Sequence, residues 1–336
     1  MKVLIYSPSF YPNIGGLETI IESLAYEFTS QGHTVKLISL TPDESNKMFP
    51  FEVIRCPQPH QLLQMTRWCN VFFQGCVSLK GLWPNLLIRR PLVIAHHTWY
   101  QRSDGSRGWQ DRLKHIVARF ATNIAVSHAI SKALSVPSTI IPNSYRENLF
   151  YEISDIPRFR DLVFLGRLVS DKGVSLILDS LVQLKSIGLT PSLTIIGQGP
   201  EQETLRQQAK ANGVADQVEF VGSQVGLKLT QLLNEHRIMV VPSLWDEPFG
   251  IVALEGIACG CVVVGSEGGG LKDAIGPCGA TFPNGDGNVL AATLADLLTH
   301  PDKLATYRAN AQAHLTRHHP STVAKSYLQL MEATIA

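Results

Sequence analysis

Along the 336 residues, short runs of Val, Ile and Leu alternate with longer stretches in which apolar positions recur every three or four residues. Runs of four to six residues with no internal polar alternation suit strands buried on both faces. The longer stretches suit helices laid over them, so the pattern predicts an α/β fold built on parallel sheet. Strands are expected at 3–6, 35–40, 71–74, 92–95, 123–126 and 138–141. The first helix is expected over 17–30, with Ile20, Ile21, Leu24, Ala25 and Phe28 on one face and Gly32 at its stop. Over 142–160 the period is lost, and two prolines with mixed charge mark a connection between domains. A second series follows, with strands at 161–166, 192–196, 218–221, 238–241 and 261–265 and helices from about Val174, Glu201, Leu227 and Ile251. In the tail, Val323, Ala324, Tyr327, Leu328 and Met331 fall at helical spacing. Two Rossmann-like domains are thus expected, 1–150 and 151–318, with a terminal helix in 319–336 and a ligand cleft between the domains.

Composition narrows the picture without changing it. Hydrophobic residues make up 45% and charged residues 17%, a globular balance. With 29 Lys+Arg against 28 Asp+Glu, a generic nucleic-acid binder is disfavoured. The balance is uneven, because residues 1–150 hold 15 basic and 9 acidic side chains and the rest hold 14 and 19. No apolar run reaches the ~18 residues of a spanning helix. The start, MKVLIYSPSFYPNIGG, passes from one lysine straight into a β-rich run, unlike a signal peptide. Six cysteines without a CxxC pair or a zinc-like spacing fit a reduced, cytoplasmic protein.

Several stretches carry candidate chemistry. Gly15-Gly16, ahead of the first helix, lets a backbone approach an anion while the helix N-terminus offers free N–H groups, although the pair serves a plain turn equally well. Gly166-Arg167-Leu168-Val169-Ser170-Asp171-Lys172-Gly173 sets an arginine and a lysine just beyond a strand. Arg167 suits a forked grip on phosphate and Lys172 a point charge. Gly197-Gln198-Gly199-Pro200 follows the next strand, so two loops face one edge, as a nucleotide diphosphate site requires. Glu247 sits in a loop held by proline and glycine, and Glu255 lies eight positions on inside a helix. At ~1.5 Å rise per residue the two acids cannot share one catalytic oxygen, and they suit separate hydroxyl pairs of one ligand, a sugar and a ribose. His96 and His97 end a strand of the first half, where active-site groups gather in open sheets. No DxD or HxxxH spacing accompanies this pair to point to a metal, and GxGxxG, the dinucleotide fingerprint, is absent from the first turn of either half.

These residues resemble glycosyltransferase family 4, the retaining nucleotide-sugar transferases of the two-domain GT-B fold. The likeness rests on Gly166-Arg167-Leu168 with Asp171-Lys172-Gly173, the GxGP loop Gly197 to Pro200, Glu247 and Glu255 in an EPFG context, and the Gly269-Gly270 turn. Gly15-Gly16, the histidine before Thr98, Val126-Ser127 and Ile141-Pro142-Asn143 also match. By that resemblance Arg167 and Lys172 hold the diphosphate, with Gly15 and Gly16 approaching from the other domain. Glu255 binds ribose hydroxyls, Glu247 contacts the donor sugar, and His97 stands at the reacting face. Gly197, Gly199, Pro248, Phe249, Gly250, Ile251 and Val252 complete the donor site. Asp273 stands where the family usually has glutamate, and the last helix crosses back onto the first domain. The implied reaction moves a sugar from a nucleotide diphosphate sugar, UDP-sugar first with GDP-mannose and ADP-glucose next, to a hydroxyl of a saccharide, lipid-linked or small acceptor. Configuration is retained, and neither metal nor other cofactor takes part. A sugar-nucleotide epimerase of the same fold is the alternative; it would convert its substrate without an acceptor.

The acceptor leaves a fainter mark. Trp68, Phe72, Phe73, Leu82, Trp83, Leu86, Leu87, Ile88, Arg89 and Arg90 crowd one basic span, which suits either the core of the sheet or peripheral docking on an anionic membrane.

Overall fold

The computed structural model describes all residues except Ile14, Glu44, Asn46, 101–105 and Arg107. Chain contacts divide it into two units: Met1–Ser144 with His319–Ala336, and Tyr145–His318.

The first unit holds β1 (Lys2–Ser7), β2 (Thr34–Ser39), β3 (Glu52–Arg55), β4 (Val71–Gln74), β5 (Leu92–His96), β6 (Thr122–Ala125) and β7 (Thr139–Ile140). They form one sheet in the order β3-β2-β1-β4-β5-β6-β7, every pairing parallel. In the central strand Val3 pairs with Val35 on one side and Val71 on the other, so β-branched side chains stack across the sheet and are lost to solvent on both faces. The helix expected over 17–30 runs Gly16–Ser30 and buries the five residues its spacing marked. Against it lies the last helix, Pro320–Ile335, whose Tyr327 is fully buried and meets the rings of Phe28 and Phe73. The terminal segment therefore belongs to the core of the first unit.

The second unit holds β8 (Arg160–Leu165), β9 (Leu193–Ile196), β10 (Val218–Gly222), β11 (His236–Val241), β12 (Val262–Ser266) and β13 (Gly279–Phe282). Their order is β10-β9-β8-β11-β12-β13, again all parallel. Ile177, Leu178, Leu181, Ile195, Val240, Val264 and Leu294 are among the side chains that fill one core between sheet and helices. In each sheet the order reverses beside the first strand, between β1 and β4 and between β8 and β11. Ligands of open α/β sheets bind at such points, outside the carboxyl ends of the strands.

Strands β3 and β13 lie outside the elements predicted from the sequence. Each is four residues long on a sheet edge, and neither has a continuous apolar run to announce it. No helix of the described residues is long and apolar enough to cross a membrane.

Candidate functional site

The carboxyl edge of the second sheet collects the charged and glycine-rich loops. After β8 the chain makes a short 3-10 turn, Ser170–Lys172, closed by Gly173 in a left-handed conformation at φ 67°. A side chain at Gly173 would strike the Pro242 carbonyl, so glycine lets this loop lie against the loop after β11. A backbone bond from Leu244 N to Asp171 O, 2.8 Å, fastens the two. After β9, Gly197 at φ 143° and Gly199 press on the carbonyls of Gly166 and Leu168 in the same way. Reciprocal bonds, Leu168 N to Gln198 O at 3.0 Å and Glu201 N to Leu168 O at 3.1 Å, make the two phosphate-loop candidates one backbone assembly.

An open pocket of about 190 Å³ lies between them, lined by Gly166, Arg167, Gly197, Gln198, Ser223 and Gln224. Arg167 is exposed there. Ser223 and Gln224, from the loop after β10, were not singled out in the sequence; the signal available was a third loop at the same edge, opened by Gly222.

Lys172 sits at the reversal between β8 and β11. Its ammonium donates to Glu247 Oε1, which also accepts from Ser243 Oγ at 2.8 Å. Glu247 Oε2 takes no hydrogen bond among the described residues. The Trp245 ring lies 5.9 Å from the Lys172 ammonium. Glu247 is itself held by its backbone, through a parallel bridge to Gly269 and a 2.7 Å bond from Gly270 N to its carbonyl. Any side chain at Gly269, φ 66°, would overlap the Glu247 backbone. The Gly269-Gly270 turn thus works as a clamp on the acid loop.

Phe249 is buried against His318, and Gly250 at φ 99° turns the chain into the helix Ile251–Ala258. No side chain caps this helix, so its first N–H groups stay open to an anion beside Pro248, Ile251 and Val252. Glu255 lies inside the helix, nearly buried, and its Oε1 accepts from Arg146 Nη2 at 3.2 Å. Burial pushes the Glu255 carboxyl up from its ordinary pKa, and the Arg146 guanidinium opposes that shift.

The first unit presents a different edge. His96, at the end of β5, is fully buried: Nδ1 meets the Tyr100 hydroxyl at 2.9 Å and Nε2 meets Asn123 Oδ1 at 3.0 Å. With both nitrogens engaged inside its own unit, His96 is a structural residue. His97 is different, since neither enclosed ring nitrogen has an aligned hydrogen-bond partner among the described residues. Burial and then the neighbouring His96 push its pKa down to about 3, and the Asn143 side chain opposes this only in part. Gly15 and Gly16 open the first helix, with the Glu18 carboxylate lying against Gly15; Ile14 of the same turn lies outside the described residues. Among the described residues, no group of three His, Cys, Asp or Glu side chains is placed to hold a metal ion.

Fold and edge define a class. Two parallel six- and seven-stranded units with this loop set are the GT-B fold of glycosyltransferases: the structure of Anabaena Alr3699/HepE in complex with UDP and glucose superposes with a TM-score of 0.79 over 99% of this chain and 100% of that one, at 22% identity. Residues 152–314, within the second unit, match the family model described as Glycosyl transferases group 1. A glycogen synthase of Mycobacterium tuberculosis is 35% identical over 158 residues, 46% of this chain and 38% of that protein, so the match spans well under half of that relative. A phosphatidyl-myo-inositol mannosyltransferase of Mycobacterium leprae is 26% identical over 99% of this chain and 96% of its own length.

Proposed function

We propose that the chain transfers a sugar from a nucleotide diphosphate sugar to a hydroxyl acceptor, with retention of configuration and without a metal ion. The observation that carries this reading is the convergence of Arg167, Lys172 and an uncapped helix N-terminus on one sheet edge, beside two carboxylates. Departure of a nucleoside diphosphate leaves negative charge on the leaving oxygen. Fixed cations and N–H groups aimed at that charge stabilise it without reorganising, the part a metal plays in other sites. Glu247 Oε2 is available to donor-sugar hydroxyls and Glu255 to ribose hydroxyls. Pro248, Phe249, Gly250, Ile251 and Val252 shape the floor, Gly197 and Gly199 allow close approach of the backbone, and Gln198, Ser223 and Gln224 line the pocket available to the base. Gly15, Gly16 and His97 are the first unit's proposed share of the substrate contacts. His97, neutral at working pH, serves there as a hydrogen-bonding group rather than an acid.

UDP-sugar is the favoured donor, supported by the UDP and glucose named for Alr3699/HepE. GDP-mannose comes next, since a relative from Mycolicibacterium smegmatis, 32% identical over 43% of this chain, is named as a GDP-mannose-dependent mannosyltransferase. No carboxylate stands as an evident covalent nucleophile, so retention is assigned to a same-face displacement in which the leaving phosphate takes the acceptor proton. Incubating the protein with UDP-glucose, GDP-mannose or ADP-glucose, with and without a saccharide or lipid acceptor and in EDTA, tests the whole reading. Acceptor-dependent release of the nucleoside diphosphate in EDTA is expected. Conversion of the donor sugar with no acceptor present would make the protein an epimerase instead.

For the acceptor side we propose docking on an anionic bilayer through the helix Trp109–Ala118 rather than through the span 68–90. In that span Phe72, Phe73 and Leu82 are core residues, although Leu86 and Leu87 remain outside. On the helix and just past it, Trp109, Leu113, Ile116 and Phe120 recur at i, i+4, i+7 and i+11, with Trp109 71% and Phe120 81% exposed. Exposed Arg112 and Arg119 border that stripe. An apolar stripe edged with arginine suits an interfacial helix on negative lipid.

A further inference from the structure

Among the described residues, Arg146 makes a charged contact at this edge that no motif in the sequence announces. It comes from the aperiodic segment ahead of β8, 109 positions from its partner, and its Nη2 reaches Glu255 Oε1. The guanidinium stacks 5.0 Å from the ring centroid of Phe150, a fully buried residue. The neighbouring Leu149 carbonyl is fixed by a 2.6 Å bond from Thr230 Oγ1, so Arg146 is presented from a rigid platform. Its side chain stays 41% exposed while that of Glu255 is 12% exposed.

The geometry divides the Glu255 carboxylate into two ends. Oε1 is taken by the guanidinium, and Oε2 has no hydrogen bond among the described residues. Among the described residues, the titratable groups recorded as interacting with the Glu255 carboxyl are Arg146 and, one helical turn on, the Cys259 thiol, which burial holds protonated. Arg146 is therefore the one cation among them that offsets burial of this carboxyl. Only the ionised form accepts both vicinal hydroxyls of a ribose; a protonated carboxyl spends one oxygen as a donor.

We propose that Arg146 is a positioning residue for the donor, keeping Glu255 ionised and turned so that Oε2 receives the ribose diol. This rests on Glu255 being the ribose contact. The alternative arrangement, in which Arg146 merely fills an empty site and must be expelled by the nucleotide, makes the opposite forecast for affinity.

Calorimetric binding of UDP, GDP and ADP between pH 5 and 9, with tripolyphosphate as a ribose-free probe, separates these cases. In Arg146→Met the best-binding nucleoside diphosphate is expected to lose affinity several-fold, up to about tenfold, at pH 5.5 and under about threefold at pH 8.5, because removing an opposite charge raises a carboxyl pKa by about one to three units. Arg146→Gln, a second variant at this partly exposed position, behaves the same way; Arg146→Lys restores the wild-type profile; tripolyphosphate binding is unchanged. In a Glu255→Gln background Arg146→Met has no further effect. Tighter binding in Arg146→Met, a profile that does not shift, or an equal loss for tripolyphosphate would overturn the role given to Arg146. Wild-type affinity in Glu255→Gln alone would instead overturn the ribose assignment beneath it, and absence of binding by all three nucleotides would overturn the donor reading.

Discussion

The two sheets share a topology and differ at their carboxyl edges. In the second unit that edge is crowded with acidic and basic side chains held in pairs, Lys172 with Glu247 and Arg146 with Glu255, and the loops of the first pair are pinned by Gly173 and Gly269, which let backbones touch. In the first unit the matching edge carries His96 and His97, both kept neutral by burial. One Rossmann-like frame thus carries a charged edge in one unit and a neutral one in the other. Topology sets where a ligand sits, and the side chains on the loops set what it is. The charge imbalance along the sequence fits this division only in part. The acidic half carries the cations proposed to meet phosphate.

That contrast is open to attack at both edges. The largest effect is expected from Arg167→Ala or Lys172→Ala, each lowering kcat/KM by about 10² to 10³, the loss typical of removing one group that stabilises developing charge. Steady-state kinetics check this, and values within about threefold of wild type would remove the phosphate clamp. Glu255→Gln is expected to weaken nucleoside diphosphate binding by about 10- to 100-fold, as loss of charge-assisted hydrogen bonds does; calorimetry gives the number. On the neutral edge, His96→Phe should cost about 1–3 kcal/mol of stability by orphaning Asn123 Oδ1 and freeing the Tyr100 hydroxyl, with donor affinity unchanged. Denaturant unfolding against nucleotide titration separates the two readouts.

The neutral histidines also set a pH dependence. His96 is held at about 4 and His97 at about 3, below the ordinary 6.5, so on acidification the unfolded chain takes up protons before the native one does. Their contribution is complete above about pH 6.5 and is lost as pH falls toward 4, by up to ~1.4 kcal/mol per pH unit for each histidine. Unfolding followed from pH 8 to 4 should show this slope, reduced in His96→Phe. The smallest effect is expected at the surface, where Trp109→Ser with Phe120→Ser should abolish co-sedimentation with anionic vesicles at low salt while leaving soluble turnover intact. Vesicle binding equal to wild type would take the helix Trp109–Ala118 out of the picture.

Much of this was legible in the sequence, and the exceptions have physical causes. Buried parallel strands announce themselves as apolar runs, so the central strands were found to within a residue or two. Edge strands β3 and β13 were missed because they are short and less fully covered. Arg167, Lys172, Glu247 and Glu255 could be named because glycine and proline at fixed offsets declare how their loops must turn. Arg146 could not, since its contact joins positions far apart and nothing periodic surrounds it. The choice between His96 and His97 also needed coordinates: both follow the same strand, and only the bonds to Tyr100 and Asn123 show which ring is already satisfied. The exposed stripe on Trp109–Ala118 escaped for a related reason, because helical spacing reveals an apolar face without saying whether it points inward.

A thermal-shift titration of the wild-type protein and of Arg167→Ala with Lys172→Ala, using UDP, GDP and ADP in EDTA, tests the charged edge most directly. One nucleotide should stabilise the wild type by roughly 2.7 kcal/mol at 100 times its Kd and leave the double variant unmoved at the same concentration. No shift with any of the three, or an equal shift in the double variant, would contradict a nucleoside diphosphate site on the second unit.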